Sequence, residues 1–148
     1  MPQTENLLRL VYASRATQEM SFNRVLTIIA KSRSANKVRD VTGMLLYDGG
    51  VFVQVLEGAP ETVRGLYAAI ERDPRHHSLK VLLEEQTRTR LFCGWSMGHS
   101  GATAKDIAGL PGMSDAFLDG HDLDRLGETQ VRALLEAFRK GTLTLQPA

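Results

Sequence analysis

Gln54 is the polar residue with the clearest chemical consequence, because it interrupts an apolar run. The run covers Val51–Leu56, with Gly49-Gly50 before it and Gly58 after it, and its composition favours a central strand buried on both faces. A primary amide has two N–H donors and an acceptor oxygen, and leaving it unpaired in a core costs about 1–3 kcal/mol. Gln54 therefore needs partners, which are either ordinary protein groups, the commoner case, or a bound ligand.

Tyr12 is the second residue that could take part in chemistry. It lies in the strand-like run Leu7–Ser14, and the alternation of a strand places it on the same side as Leu8 and Leu10. If that side faces the helices, the phenol is buried and also needs a partner, for which Gln54 is a candidate. A phenol and an amide in a dry site form a hydrogen-bond and redox relay rather than a hydrolytic apparatus.

A predicted helix from Phe22 to about Asn36 carries a stripe that starts apolar and ends polar. Val25, Ile29, Ser32 and Asn36 follow one another at steps of four, three and four residues, and Ser21 is a suitable cap. Ser32 and Asn36 on an inward face suit a ligand with amide and carbonyl edges. The alternative is that Asn36 ends the helix and Ser32 lies on a frayed turn.

A second helix is predicted from Pro60 to near Asp73-Pro74. Asp73 could accept hydrogen bonds in a groove between the helices, although acids in such places are more often solvated. The charged stretch Arg72–His77 could face phosphates but is more typical of an exposed loop. Its adjacent histidines lack the spacing of a structural zinc site, so no metal site is predicted.

The remaining elements complete an α+β pattern. Val41–Asp48 and Val51–Leu56 predict a hairpin through Gly49-Gly50, and further strands are predicted at Leu79–Glu84 and Leu91–His99. The order β-α-β-β-α-β-β indicates a ferredoxin-like fold, with a mixed five-stranded sheet and two helices on one face.

The residues after Gly101 are predicted to form helices that cover the other face of the sheet. One helix is marked by apolar residues at helical spacing, with Thr129 as the expected cap and Gly141 past its end. The apolar residues are Val131, Leu134, Leu135 and Phe138. We therefore predict one domain over residues 1–101 and a helical extension over 102–148; the alternative is that this helix meets another subunit.

Composition excludes several classes of protein. A net charge of +1 argues against nucleic acid or an anionic membrane as partner, and no apolar stretch is long enough to span a bilayer. The single cysteine, Cys93, and a start without a signal-peptide pattern favour a cytoplasmic protein. Nucleotide-binding loops, the serine-hydrolase elbow and zinc-protease motifs are all lacking, so an enzyme is not predicted.

Taken together, these segments resemble one family. Tyr12 in LVYAS, Ser32 and Asn36 in KSRSANKV, and Gln54 in TGMLLYDGGVFVQVLEG resemble the BLUF domains, which sense blue light with flavin adenine dinucleotide (FAD). RDPRHH and the segment FCGWSMGH, which contains Trp95 and Met97, extend the resemblance over about residues 5–100.

The resemblance implies a photoreceptor and not an enzyme. FAD would lie between the two helices, with Tyr12, Ser32, Asn36, Gln54 and Asp73 as cofactor-binding residues. Tyr12 and Gln54 would be the light switch, in which light-driven electron and proton transfer changes the hydrogen bonds of the glutamine.

Trp95 and Met97 would carry the signal onward along the fifth strand to the C-terminal helices. We expect them to share one face of that strand, because they are two residues apart. No effector-domain pattern follows, so a stand-alone photoreceptor is expected that forms a homo-oligomer, a dimer or larger, and acts on an unidentified protein effector.

Two positions depart from the family pattern. Ala35 stands where relatives often have asparagine or histidine, and Ala69 where some relatives carry arginine or histidine, which affects the expected strength and details of flavin binding. Two other classes of protein remain open: a flavin-free ferredoxin-like regulatory or interaction domain, and a small enzyme such as an acyl-phosphate hydrolase, which would need a phosphate-binding loop.

Overall fold

The computed structural model describes residues 6–18, 20–110 and 126–145. Within them one sheet has the strand order β4-β1-β3-β2-β5, and all its neighbours are antiparallel except β2 and β5. The strands are β1 (Leu7–Ala16), β2 (Thr42–Asp48), β3 (Val51–Gly58), β4 (His76–Thr87) and β5 (Gly98–Ser100). The helices are α1 (Phe22–Arg39), α2 (Pro60–Glu71), α3 (Ala104–Ala108) and α4 (Glu128–Arg139). The predicted ferredoxin-like α+β fold with a five-stranded mixed sheet is confirmed.

Strand β3 lies at the centre of the sheet, and all eight of its residues are buried. The hairpin from β2 to β3 turns at Gly49 and Gly50, whose φ angles of 57° and 84° are favourable for glycine but not for other residues. This turn sets the register that pairs Leu45 with Gln54, and the neighbouring β1 pairs Tyr12 with the same glutamine.

The two faces of the sheet are covered by different helices. Even-numbered residues of β1 and β3 pack with residues of α1 and α2 in one apolar cluster, while odd-numbered residues pack with α4 in another. Val131, Leu134 and Leu135 of α4 belong to this second cluster, so the described part of the C-terminal segment covers the face for which it was predicted. The division of the chain at residue 101 stays a prediction, and residues 111–125 and 146–148 of the extension lie outside the described residues.

The predicted fifth strand at Leu91–His99 is wrong for most of its length. Only Gly98–Ser100 pairs with a neighbour, in parallel with β2. Before it the chain turns: Trp95 donates its backbone N–H to Phe92, and Gly94 has a φ of 86°. The apolar residues of this segment are therefore buried by side-chain packing and not by strand pairing.

Two helix ends also differ from prediction. Helix α1 continues past Asn36 to Arg39 and is capped by Asp40, which has a left-handed conformation, so Asn36 is not the end of the helix. Helix α4 starts after Gly127 and not at Thr129, because the side chain of Gln130 accepts the backbone N–H of Gly127. Among the described residues, no helix is both long and apolar enough to cross a membrane.

Glu57 holds the start of the segment of residues 91–97, which turns before β5. Its fully buried carboxylate accepts hydrogen bonds from the guanidinium of Arg9 at 2.9 Å and the hydroxyl of Thr42 at 3.1 Å. It also accepts the backbone N–H groups of Leu91 at 2.8 Å and Phe92 at 3.0 Å. A buried charge needs this many donors to offset its lost hydration, so the acid ties the segment to β3.

We expect Glu57→Gln to lower the free energy of unfolding by about 3 kcal/mol, because the new NH₂ group would face N–H donors. Urea denaturation followed by circular dichroism measures the loss. Glu84→Gln is the control, since Glu84 makes an exposed ion pair with Arg64 and should cost less than about 1 kcal/mol. Equal losses in the two variants would show that Glu57 does not anchor the segment.

Candidate functional site

A cavity of about 260 Å³ lies between the sheet, α1 and α2. Its walls are largely apolar, and polar side chains are grouped at particular places, as in a site for an organic ligand. The apolar lining residues are Met20, Ile28, Ala35, Leu45, Phe52, Leu66 and Ile70. The polar and charged lining residues are Tyr12, Lys31, Ser32, Asn36, Arg39, Gln54, Asp73, Arg75 and His76.

Tyr12 and Gln54 meet at the sheet wall of this cavity. They are direct partners in the register of β1 and β3, and the phenolic hydroxyl donates a hydrogen bond to Gln54 Oε1. Burial raises the pKa of Tyr12 well above its ordinary value, and Tyr67 and Asp73 raise it further. Tyr12 is therefore a neutral hydrogen-bond donor at any physiological pH.

The nitrogen end of the Gln54 amide has a weak partner. Nε2 donates to the sulfur of Met97 at 3.6 Å, and a thioether sulfur is a poor acceptor. Gln54 makes no other side-chain hydrogen bond within residues 6–18, 20–110 and 126–145. A buried amide with spare donor capacity beside a cavity fits a ligand that presents a carbonyl or ring nitrogen.

The polar end of the α1 stripe lines the same cavity, where the sequence analysis placed it. Asn36 is buried and donates from Nδ2 to the carbonyl of Ser96 at 2.9 Å. This leaves its side-chain oxygen as an acceptor for a ligand. Ser32, one turn earlier, is half-buried and also lines the cavity.

Asp73 lines the cavity with its oxygens already engaged. It accepts the backbone N–H of Arg75 at 2.9 Å and the Nε of its guanidinium at 3.0 Å. The hydrogen bond from the Arg75 side chain is the main reason why the pKa of Asp73 is lowered, and partial burial opposes it. The pair therefore presents a combined polar surface and not a free carboxylate.

His76 was interpreted as part of a charged loop, yet it begins β4 and lines the cavity. Its two ring nitrogens lie 2.7 Å from the carbonyl of Ile70 and 2.7 Å from the hydroxyl of Ser14. The histidine thus joins the end of α2 to β1 behind Tyr12. Only the fold brings residues 14, 70 and 76 together, so the sequence pattern carried no signal for it.

Sequence reasoning also missed two cations of the site, Lys31 and Arg39, although it had considered the stretch that contains Arg75 as one that could face phosphates. Lys31 and Arg39 line the cavity together with Arg75, against one acid, Asp73. Arg39 is three residues after Asn36 and so shares its face of α1, which was a usable signal, whereas the spacing of Lys31 from Ser32 and Asn36 gave none. This positive charge suits a ligand that carries phosphate groups.

Trp95 and Met97 do not share a face as predicted, because the segment that carries them is not a strand. Met97 is fully buried in the cluster under α1 and α2, beside Gln54. Trp95 packs against the cluster on the α4 side, and its carbonyl accepts the N–H of Gly43 at 2.9 Å. Met97 thus contacts Gln54, whereas Trp95 is absent from the cavity lining.

The two positions that depart from the family pattern differ in their surroundings. Ala35 lines the cavity, but Ala69 is exposed and does not.

Among the described residues, no group of three or more His, Cys, Asp or Glu side chains is arranged to hold a metal ion.

The raised pKa of Tyr12 predicts an alkaline loss of stability. Above about pH 10 the unfolded chain loses the phenolic proton and the folded chain keeps it, so the free energy of unfolding falls as pH rises. Tyr12→Phe should make this fall shallower, and Tyr67, whose pKa is also raised by burial, should retain part of it. Urea denaturation on both sides of pH 10 measures the slope; identical slopes would refute the buried phenol.

Comparison with known proteins agrees with the kind of ligand that the geometry of the cavity suits. The family model described as sensors of blue-light using FAD, BLUF, matches residues 7–98. The Euglena gracilis photoactivated adenylate cyclase subunit beta-like protein FB is 32% identical over 112 residues, which is 75% of this chain and 13% of that protein. The blue light- and temperature-regulated antirepressor BluF of Escherichia coli (strain K12) is 35% identical over 86 residues, 58% of this chain and 21% of that protein.

The chain thus spans less than a quarter of the length of these two curated relatives. A solved structure of similar size is the dark state of BlrB, a BLUF protein, with 29% identity and a TM-score of 0.74. The match covers 94% of this chain and 99% of BlrB. With a family model that covers more than half of its residues, the chain belongs to the BLUF family of blue-light sensors that use FAD.

Proposed function

We propose that this protein is a blue-light photoreceptor that binds FAD non-covalently in the cavity between α1 and α2. The observation that carries the proposal is the buried Gln54 amide, which takes a hydrogen bond from Tyr12 and gives one to the sulfur of Met97. An amide held between a strong donor and a weak acceptor is able to exchange its two ends when its surroundings change.

The residues present fit a flavin. The pyrimidine edge of its ring alternates carbonyl and N–H groups, and Gln54, Asn36 and Ser32 would hold that edge. Apolar side chains from both helices, including Ile28 and Ile70, would pack against the ring system. The ribityl and phosphate parts would face the cations Lys31, Arg39 and Arg75. These positive charges favour FAD over a flavin without phosphates.

Bound FAD would supply absorption of blue light and an excited state that accepts an electron. Tyr12 would give up that electron, and its phenolic proton would leave along the existing hydrogen bond to Gln54 Oε1. When the electron and the proton return, the Gln54 amide would keep a changed orientation or tautomer. Because nothing is consumed, the residues act as a switch and not as a catalyst.

The signal would leave through Met97 and the residues that follow it. Met97 precedes Gly98, where a Cβ atom would lie only 2.5 Å from the side chain of Leu145, so the C-terminal residues are seated directly on the start of β5. On the same segment the ring of Phe92 packs against Phe138 of α4, with ring centroids 5.5 Å apart. A shift of the segment would therefore reach the C-terminal extension of residues 102–148.

The output would be a protein effector, contacted by a homo-oligomer of this chain. The names of the two relatives describe a cyclase subunit and an antirepressor, so BLUF domains are associated with different effectors. We expect residues 1–101 to bind flavin and the extension to meet the partner, in a cytoplasmic setting consistent with the free thiol of Cys93.

The alternative is a regulatory domain of the same fold that binds no flavin. In that case Gln54 and Asn36 are structural residues. The purified protein distinguishes the two: a yellow preparation whose extracted flavin is FAD supports the sensor. A colourless preparation that takes up no added FAD refutes it, and extracted FMN would correct the cofactor.

We expect Tyr12→Phe and Gln54→Leu to fold and bind FAD, because both keep the volume of the side chain. Both should lose the red shift of the flavin absorption band after blue light, because the donor or the amide is gone. Difference spectra before and after illumination measure this. A normal red shift in either variant would contradict the switch; a Gln54→Leu that unfolds beside a normally responding Tyr12→Phe would favour the structural role.

We expect Met97→Ala to keep the red shift but to abolish the light-induced change in hydrogen exchange at Gly98–Ser100 and Val131–Phe138. Met97→Leu is the matched control: it keeps the volume and lacks the sulfur acceptor, so it separates packing from hydrogen bonding. Equal light-induced changes in wild type and Met97→Ala, or none in either, would exclude this route.

A further inference from the structure

Arg33 of α1 reaches across to the segment that carries Met97. Its Nε and Nη2 donate to the carbonyl of Met97 at 3.2 and 2.9 Å. We propose that Arg33 is a positioning residue that sets where the Met97 sulfur lies against Gln54. The inference deepens the proposed switch, since it names the group that holds one partner of the glutamine.

The last two residues before β5 are held by α1. Regular sheet pairing starts at Gly98, opposite Met44, and before it the carbonyl of Trp95 accepts a single backbone hydrogen bond from Gly43 of β2. The two carbonyls immediately before that point, of Ser96 and Met97, are both bound by α1 side chains, Asn36 and Arg33. These two side chains are three residues apart, which places them side by side on one face of the helix.

The chemistry of arginine suits this position. Two N–H groups of one planar guanidinium converge on a single oxygen, and hydrogen bonds from a charged donor are shorter and stronger than neutral ones. Arg33 is half-buried, so competing water is partly excluded. Lysine would offer only a compact ammonium on a flexible stem, and it would hold the carbonyl less rigidly.

The carbonyl that Arg33 holds belongs to the residue whose sulfur accepts from Gln54. Met97 is fully buried, and its Sδ is 3.6 Å from Gln54 Nε2. Releasing the carbonyl would let the backbone of Met97 move and carry the sulfur away from the amide. Arg33 therefore acts on the glutamine through Met97, without contacting it.

The test is NMR of the protein labelled with ¹³C at the methionine methyl groups, in the dark and after blue light, with FAD bound. The sequence contains five methionines, and Met97→Leu identifies the signal of Met97. Arg33→Leu removes the donors and Arg33→Lys keeps the charge. Lys37→Leu is the matched control, because Lys37 is an exposed cation in the last turn of the same helix.

We expect Arg33→Leu to displace or broaden the Met97 methyl signal in the dark and to speed amide exchange at Gly98–Ser100 about tenfold. Arg33→Lys should be intermediate, and Lys37→Leu should match wild type. If Arg33→Leu does not fold, the Arg33→Lys spectrum decides. A Met97 signal and exchange rates equal to wild type in the folded variant would overturn the proposal, as would a loss of stability without displacement.

Failure of the proposed switch gives a different result. If the Met97 signal of wild type does not respond to light, the output route is refuted. The effect of Arg33 on the Met97 signal in the dark is measured independently, also in flavin-free protein. If that effect is present without a light response, Arg33 has a purely structural role.

Discussion

The hydrogen bond between Tyr12 and Gln54 is the interaction on which the rest of the site depends. The antiparallel register of β1 and β3 places the two residues directly opposite each other on the face under α1 and α2. Burial disfavours the phenolate and so keeps Tyr12 a donor, which directs the amide oxygen toward it. The amide nitrogen must then find its partner on the other side, where Met97 lies.

The segment of residues 91–97 contributes side chains to the clusters on both faces of the sheet. At its start, Glu57 holds two of its backbone N–H groups from β3, and at its end α1 holds two of its carbonyls. Met97 lies in the cluster under α1 and α2, whereas Phe92 packs with α4. Side chains hold the segment at both ends, and between them one backbone hydrogen bond from Gly43 to Trp95 joins it to β2 in place of a regular strand ladder.

The free energy of exchanging one hydrogen bond at Gln54 would suit a reversible switch. Exchange of one hydrogen bond is worth about 1 kcal/mol, which changes an equilibrium roughly fivefold. That is small beside the stability contributed by β3, whose residues are all buried, so the fold itself is unaffected. Under the proposed function, the response to light would be a change in the population of two arrangements of the segment, and a partner that binds one of them would amplify it.

The sequence by itself determined the fold class and the hairpin at Gly49-Gly50, because alternation and turn chemistry are local properties that survive folding. The same patterns left open whether Tyr12 and Asn36 face a ligand, and the resemblance to the BLUF family implied that they share one site with Gln54. The tertiary structure decided what those residues touch. The predicted strand at Leu91–His99 failed because the backbone there is satisfied by Glu57 and by α1 side chains about 60 residues away in sequence. The hydrogen bonds of Arg33 and His76 likewise join residues that are distant in sequence, which no spacing along the chain records.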